Sequence, residues 1–177
     1  MMLFGSVLRW RVTRPAYAHK EGLMSGKYFD DLIPGTHYHH PLAHTITETE
    51  NSLFCNLTRN TQPLHLDPEF AKKTHYGQRI VNGLFTLSLV VGLSVPDLTE
   101  GTLIANLGYD KIVHPNPVFL NDTLSAETEV LDKWDSTSKL DRGIVRLKQT
   151  GRKQDGSIVV ELERTVMFLK RPIPEPR

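Results

Sequence analysis

The chain has 177 residues, 39% of them hydrophobic, a size and apolar content that suit one ordinary globular domain. Its charge is balanced, 21 Lys+Arg against 20 Asp+Glu for a formal net charge of +1, which argues against a nucleic-acid binder with its basic excess or stripe. One cysteine excludes an internal disulfide and suits a reducing compartment. Cys55 lies in the apolar run SLFCNL and reads as a buried structural thiol rather than a nucleophile.

Residues 1–20 carry Arg9, Arg11, Arg14 and Lys20 and no acidic residue, without the long apolar run of a secretory signal or membrane span. An organelle transit peptide and an extended start ahead of Met24 both fit, with an ordinary extra segment as a third reading. Residues 1–24 are therefore set aside as an extension, and 25–177 are taken as the domain. The corresponding location is cytoplasmic, or the mitochondrial matrix if the extension is a transit peptide. No other segment could cross a membrane.

THYHHPLAHTIT (36–47) alternates enough for a strand with a proline kink or edge position. Thr47 and Glu50 then match a capping box, opening a helix that runs through NSLFCNL and directs Leu53, Phe54 and Leu57 to the core. Asp67 followed by Pro68 marks a second helix start: a side-chain acceptor at the cap, then a residue whose missing N–H costs nothing there. IVNGLFTLSLVVGL (80–93) is the most apolar stretch, too short for a membrane, and reads as a helix buried on most of its surface and stopped by VPDL. From about 102 four strand-like segments follow, split at LND, DSTSKLD and QDGS. Successive strands joined by hairpin-like turns imply an antiparallel sheet wrapped around the apolar helix, an α+β domain.

With the elements in that order, three segments carry a resemblance. TRNTQPLHLDPEFA (58–71) is similar to the hydratase motif TGDxNPxHxDPxFA, Asn82-Gly83-Leu84 to the HGL turn that opens a central helix, and PVFLNDTL (117–124) to PVFxGDTL. Over roughly 26–170 the chain resembles the MaoC-like (R)-specific enoyl-CoA hydratase/dehydratase family of the hot-dog fold, and within it the mesaconyl-, itaconyl- and methylmalyl-CoA hydratase group. That resemblance implies a hydro-lyase acting on an acyl-CoA thioester, a homodimer with the acyl pocket at its interface, and no cofactor beyond coenzyme A as part of the substrate. It implies no nucleic-acid or membrane partner. The family's histidine role falls on His65 and its carbonyl-binding amide on Gly83, with Asn82 beside it. The aspartate role falls on position 60, where this chain has Asn60; Arg59 replaces the motif glycine and Gln62 the motif asparagine.

Hydration of an enoyl thioester needs a base for water, an acid for C2 and positive potential at the carbonyl oxygen. A glycine amide at a helix N-terminus supplies the last, and such donors are worth about 3–4 kcal/mol of barrier. The absence of a Cβ at Gly83 also permits close approach of the thioester. A histidine exchanges protons near neutral pH and an amide does not. His65 is thus expected to move the proton and Asn60 to orient the water. The other readings are a histidine satisfied in a turn and a glycine that only permits tight packing. Asp67, Glu48 and Glu50 are alternative carboxylates, each with a capping role that explains it more simply. Arg59 has a guanidinium fork suited to a distal carboxylate of the substrate, or is a solvated arginine at a helix end.

His37, His39 and His40, with His44 nearby, lack the Asp, Glu or Cys companions of a metal site, and none is expected. His114, in KIVHPNPVF, falls where the sheet borders the acyl site and is a weaker substrate-binding candidate. Lys72, Lys73, Arg79 and Lys111 are available to coenzyme A phosphates, or are solvated surface charges. A hot-dog thioesterase is the nearest rival, but many of these rely on a carboxylate on or near the central helix, and VNGLFTLSLVVGL has none. A non-catalytic acyl-CoA binder is the third reading.

Overall fold

The computed structural model describes residues 26–172; the extension 1–24 lies outside the described residues. Strand β1 (His37–Thr45) leads into helix α1 (Glu48–Leu57), the single turns α2 (Pro63–Leu66) and α3 (Pro68–Ala71), and helix α4 (Gly83–Leu93). Strands β2 (Leu103–Val113), β3 (Thr123–Asp135), β4 (Arg142–Lys153) and β5 (Ile158–Leu169) complete the chain. They form one antiparallel sheet in the order β1-β3-β4-β5-β2. The α+β layout is as expected, but β2 and β3 do not form a hairpin. β2 pairs with β5 and β3 with β1, because the 114–122 connection carries the chain from one sheet edge towards the other.

β3 to β5 alternate buried and half-buried residues, the period of strands with one face on the core. Under α4 the inner face joins Leu124, Ala126, Val160 and Leu162 to Leu87, Val90 and Leu93 of the helix. The second apolar cluster, with Phe29, Leu98, Val145, Leu147 and Phe168, lies beyond the helix end. There α4 stops just before VPDL, as expected, and the chain continues through a π-helical turn, Val95–Thr99. Among the clusters sits a polar group: the His40 ring meets Asp97 at 2.9 Å and Thr128 Oγ1 at 2.7 Å, and Gln149 Nε2 donates to the same hydroxyl at 3.1 Å.

Two burial expectations need correction. On α1 the buried residues are Asn51 and Cys55, one turn apart, while Leu53 and Leu57 are 55% and 75% exposed. Phe54 is half-buried and stacks on Phe85 at 5.3 Å. The face of α1 that turns inwards is chosen by the hydrogen bonds of Asn51, described below, rather than by its leucines. On α4, Thr86, Leu87, Val90 and Leu93 are buried, but Leu84, Ser88 and Gly92 are exposed. The sheet covers one side of this helix and leaves the other open.

Candidate active site

The capping box forms as the sequence requires: Thr47 Oγ1 accepts from the Glu50 N–H at 3.3 Å and Glu50 accepts from the Thr47 N–H at 2.8 Å. α1 ends at Leu57 with Thr58 as its C-cap, and the motif stretch follows. Asn60 Oδ1 accepts from the Gln62 N–H at 3.1 Å, a turn that directs Pro63 into the first position of α2. Asp67 then caps α3, accepting from the Glu69 and Phe70 N–H groups at 2.8 and 3.1 Å.

α2 presents His65. Its Nδ1 lies 3.0 Å from the Ile80 carbonyl oxygen. A carbonyl can only accept, so Nδ1 carries the hydrogen, and in the neutral ring Nε2 keeps its lone pair. The His65 backbone is fixed as well: Asn51 Nδ2 donates to its carbonyl at 3.1 Å. The other end of the same amide, Asn51 Oδ1, accepts from the Asn82 N–H at 3.0 Å. One buried side chain on α1 therefore sets the spacing between the histidine turn and the entry to α4.

Asn82 is the N-cap of α4. Its Oδ1 takes the Leu84 N–H at 2.9 Å, and its carbonyl takes the Thr86 N–H at 3.0 Å. The Gly83 N–H between them has no acceptor among the described residues. It stands at the positive end of the helix, where backbone donors and the peptide dipoles favour negative charge.

A third segment closes the site. Val81 N–H donates to the Val118 carbonyl at 2.8 Å, and Ile80 pairs with Phe119, so the 114–119 segment is held against the helix entry. Pro115 and Pro117 stiffen it, and Asn116 Nδ2 anchors it to the Ile158 carbonyl at 2.8 Å. The His114 ring faces Gly83: a Cβ built on that glycine would lie 3.5 Å from Cε1 and Nε2 of His114.

These elements enclose a cavity of about 280 Å³ lined by His65, Tyr76, Ile80, Val81, Gly83, Thr86, His114, Pro115, Asn116, Pro117, Val118 and Val159. No Asp or Glu is among the lining residues. The expected His65, Gly83 and His114 come together, and Asn82 lies directly behind them. Asn60, Gln62 and Arg59 are not among the lining residues; Asn60 is half-buried and its Oδ1 is engaged in the turn, while Arg59 and Gln62 are exposed. Arg59 adopts φ 57°, the left-handed conformation that a glycine would hold without cost. The alternative carboxylates are occupied elsewhere: Asp67 caps α3, Glu48 pairs with Arg79 at 2.8 Å, and Glu50 holds Thr47 and His44.

Sequence reasoning missed Asn51, Tyr76, Thr86 and Asn116. For Asn51 a signal existed, an amide one helical turn before Cys55, but its meaning depends on partners 14 and 31 residues away. Among the described residues no group of three His, Cys, Asp or Glu side chains could hold a metal. His37 and His39 face solvent from strand β1 near Glu129 and Glu127, while His40 turns in. Lys72, Arg79 and Lys111 are paired with Glu69, Glu48 and Glu163. No described helix is long and apolar enough to cross a membrane.

The chain matches the model of the MaoC like domain over residues 31–152. It is 31% identical over 156 residues to the mesaconyl-CoA hydratase of Cereibacter sphaeroides, covering 86% of this chain and 45% of that protein. The chain thus spans about half the length of that relative. It is 29% identical over 152 residues to the (R)-specific enoyl-CoA hydratase of Rhodospirillum rubrum, covering 81% of this chain and 93% of the relative. The solved double-hotdog protein Rv0216 of Mycobacterium tuberculosis shares the fold, with a TM-score of 0.74 at 22% identity over 86% of this chain and 47% of its own.

Proposed function

The chain belongs to the MaoC-like domain family, and from that premise we propose that it is a hydro-lyase that adds water across the C2=C3 bond of an enoyl-CoA thioester, or removes it in reverse. The observation that carries this reading is the pairing, in one cavity, of a His65 Nε2 lone pair with a Gly83 N–H that has no acceptor among the described residues. The thioester carbonyl oxygen accepts from Gly83, which draws electron density from the double bond. His65 Nε2 takes a proton from water as its oxygen bonds to C3. The negative charge that gathers on the carbonyl oxygen then lies at the positive end of α4.

A branched C5 dicarboxylyl thioester of the mesaconyl, itaconyl or methylmalyl type is the first substrate class to test, since the similarity to a mesaconyl-CoA hydratase extends over most of this chain. Thioester hydrolysis is less well supported, because neither α4 nor the cavity wall offers a carboxylate to activate water at the carbonyl carbon.

A homodimer accompanies this reading. β2 is a sheet edge, and Ile104, Leu107, Tyr109, Ile112 and Val113 on it are 37–50% exposed, with Leu84 of α4 at 58%. An apolar strip of this kind along an open edge suits a second copy of the chain. Incubation with a panel of enoyl- and hydroxyacyl-CoA esters, including crotonyl, mesaconyl and itaconyl thioesters, tests the function by mass spectrometry. Gain or loss of one water supports it. Release of free coenzyme A without hydration, or no change in any thioester, refutes it.

A further inference from the structure

We propose that His114 is the second proton-transfer residue of this site, the acid that protonates C2, in place of the carboxylate that position 60 does not supply. The inference rests on the hydration reading above. Hydration adds hydroxide at C3 and a proton at C2, so two protons move: one leaves water and one reaches carbon. His65 accounts for the first. The cavity wall has only two other titratable side chains, His114 and Tyr76.

Geometry favours His114. Its ring lies in van der Waals range of the position a Gly83 Cβ would take, with Nε2 3.5 Å from that point. C2 is bonded to the carbonyl carbon whose oxygen the Gly83 N–H receives. A group packed beside Gly83 therefore stands near C2. The ring is also unencumbered: no hydrogen bond engages His114 among the described residues, and the residue is exposed, so its proton can be renewed from solvent. Its backbone is nevertheless held, by the flanking Pro115 and by the Asn116 bond to Ile158. Asn60, in contrast, has its carbonyl oxygen in the α1–α2 turn and is absent from the wall.

The water oxygen bonds to C3 and its proton passes to His65 Nε2. The π pair of C2=C3 moves to the C1–C2 bond, and the carbonyl π pair to oxygen, at Gly83. The enolate then collapses, its C1–C2 pair forms the C2–H bond, and the imidazolium of His114 gives up that proton. Solvent returns a proton from His65 to His114.

His114→Gln and His114→Ala are the variants to make, with Tyr76→Phe as the comparison. Three readouts are used: kcat, KM, and exchange of the C2 hydrogen of the hydroxyacyl thioester with deuterium oxide. Loss of a positioned proton donor is expected to lower kcat about 10²–10⁴-fold with little change in KM. Exchange at C2 is expected to slow in parallel, and added imidazole to restore part of the activity of His114→Ala. Tyr76→Phe is expected to retain exchange. Wild-type exchange and kcat in both His114 variants, or a loss confined to KM, would overturn the assignment while leaving the hydratase reading intact. A wild-type protein that hydrates no enoyl thioester would remove both.

Discussion

Asn51 has no acid–base chemistry, yet its amide spans the two parts of the site that must keep their distance. Asn51→Ala leaves the buried Asn82 N–H and the part-buried His65 carbonyl without partners, at about 1–3 kcal/mol for the buried group and less for the other. Urea unfolding should show a loss of several kcal/mol, and a change smaller than about 1 kcal/mol would show that the bridge is dispensable. Gly83 presents the opposite case. An added Cβ meets nothing closer than 3.5 Å, so Gly83→Ala is expected to fold normally. It adds a methyl beside the Gly83 N–H proposed to receive the thioester oxygen, and should lower kcat/KM on the order of a hundredfold by misplacement alone. Wild-type kinetics in Gly83→Ala would show that the substrate does not approach there. Arg59 and Asn121 both occupy left-handed backbone, φ 57° and 71°, at positions where the motifs carry glycine. Arg59→Gly should therefore stabilise the fold by about 1 kcal/mol in the same unfolding assay, and destabilisation would point to a guanidinium contact that outweighs the strain. The Asp67 cap was legible because it closes within three residues, and the motif letters placed His65 and Gly83 on one cavity wall. Asn51 was not legible, because its partners are assembled only by the fold.

Helix α1 shows both sides of that legibility. Its start was readable from Thr47 and Glu50, since a capping box is closed within four residues. Its buried face was not, since Leu53 and Leu57 have the right chemistry for a core that lies on the other side. The cap also has a pH signature. The Thr47 hydroxyl, then the Thr47 N–H and His44, hold the Glu50 carboxyl below its ordinary value of 4.5. A carboxyl whose folded pKa is depressed contributes its stability fully above the unfolded value and loses it as pH falls through the folded value. Glu50→Gln keeps an acceptor but does not titrate, so its stability should fall less steeply than wild type below about pH 4.5. Parallel acid limbs for the two proteins would contradict this. The strands were legible from their alternation. Their order was not, because pairing of β2 with β5 depends on where the 114–122 connection crosses the molecule. That crossing also brings His114 to the helix entry, more than thirty residues from Gly83 in sequence. A histidine beside two prolines did not by itself reveal that it would pack against Gly83.

The molecule places its cavity beside an open sheet edge, and the apolar residues of β2 and the exposed side of α4 follow from that. If two copies meet along this edge, Leu107→Lys together with Ile112→Lys should yield a monomer by analytical ultracentrifugation, with hydratase activity reduced. A variant that remains dimeric would place the interface elsewhere. The central claim is that His65 Nε2 delivers water oxygen to C3 while Gly83 receives the carbonyl. Its most direct test is a single turnover of an enoyl-CoA thioester in heavy-oxygen water, comparing wild type with His65→Ala by mass spectrometry. Wild type should yield a hydroxyacyl-CoA carrying one heavy oxygen in the acyl chain, and His65→Ala should yield essentially none over the same interval. Equal labelling by both proteins, or label appearing in a free acid rather than in the hydroxyacyl thioester, would contradict it.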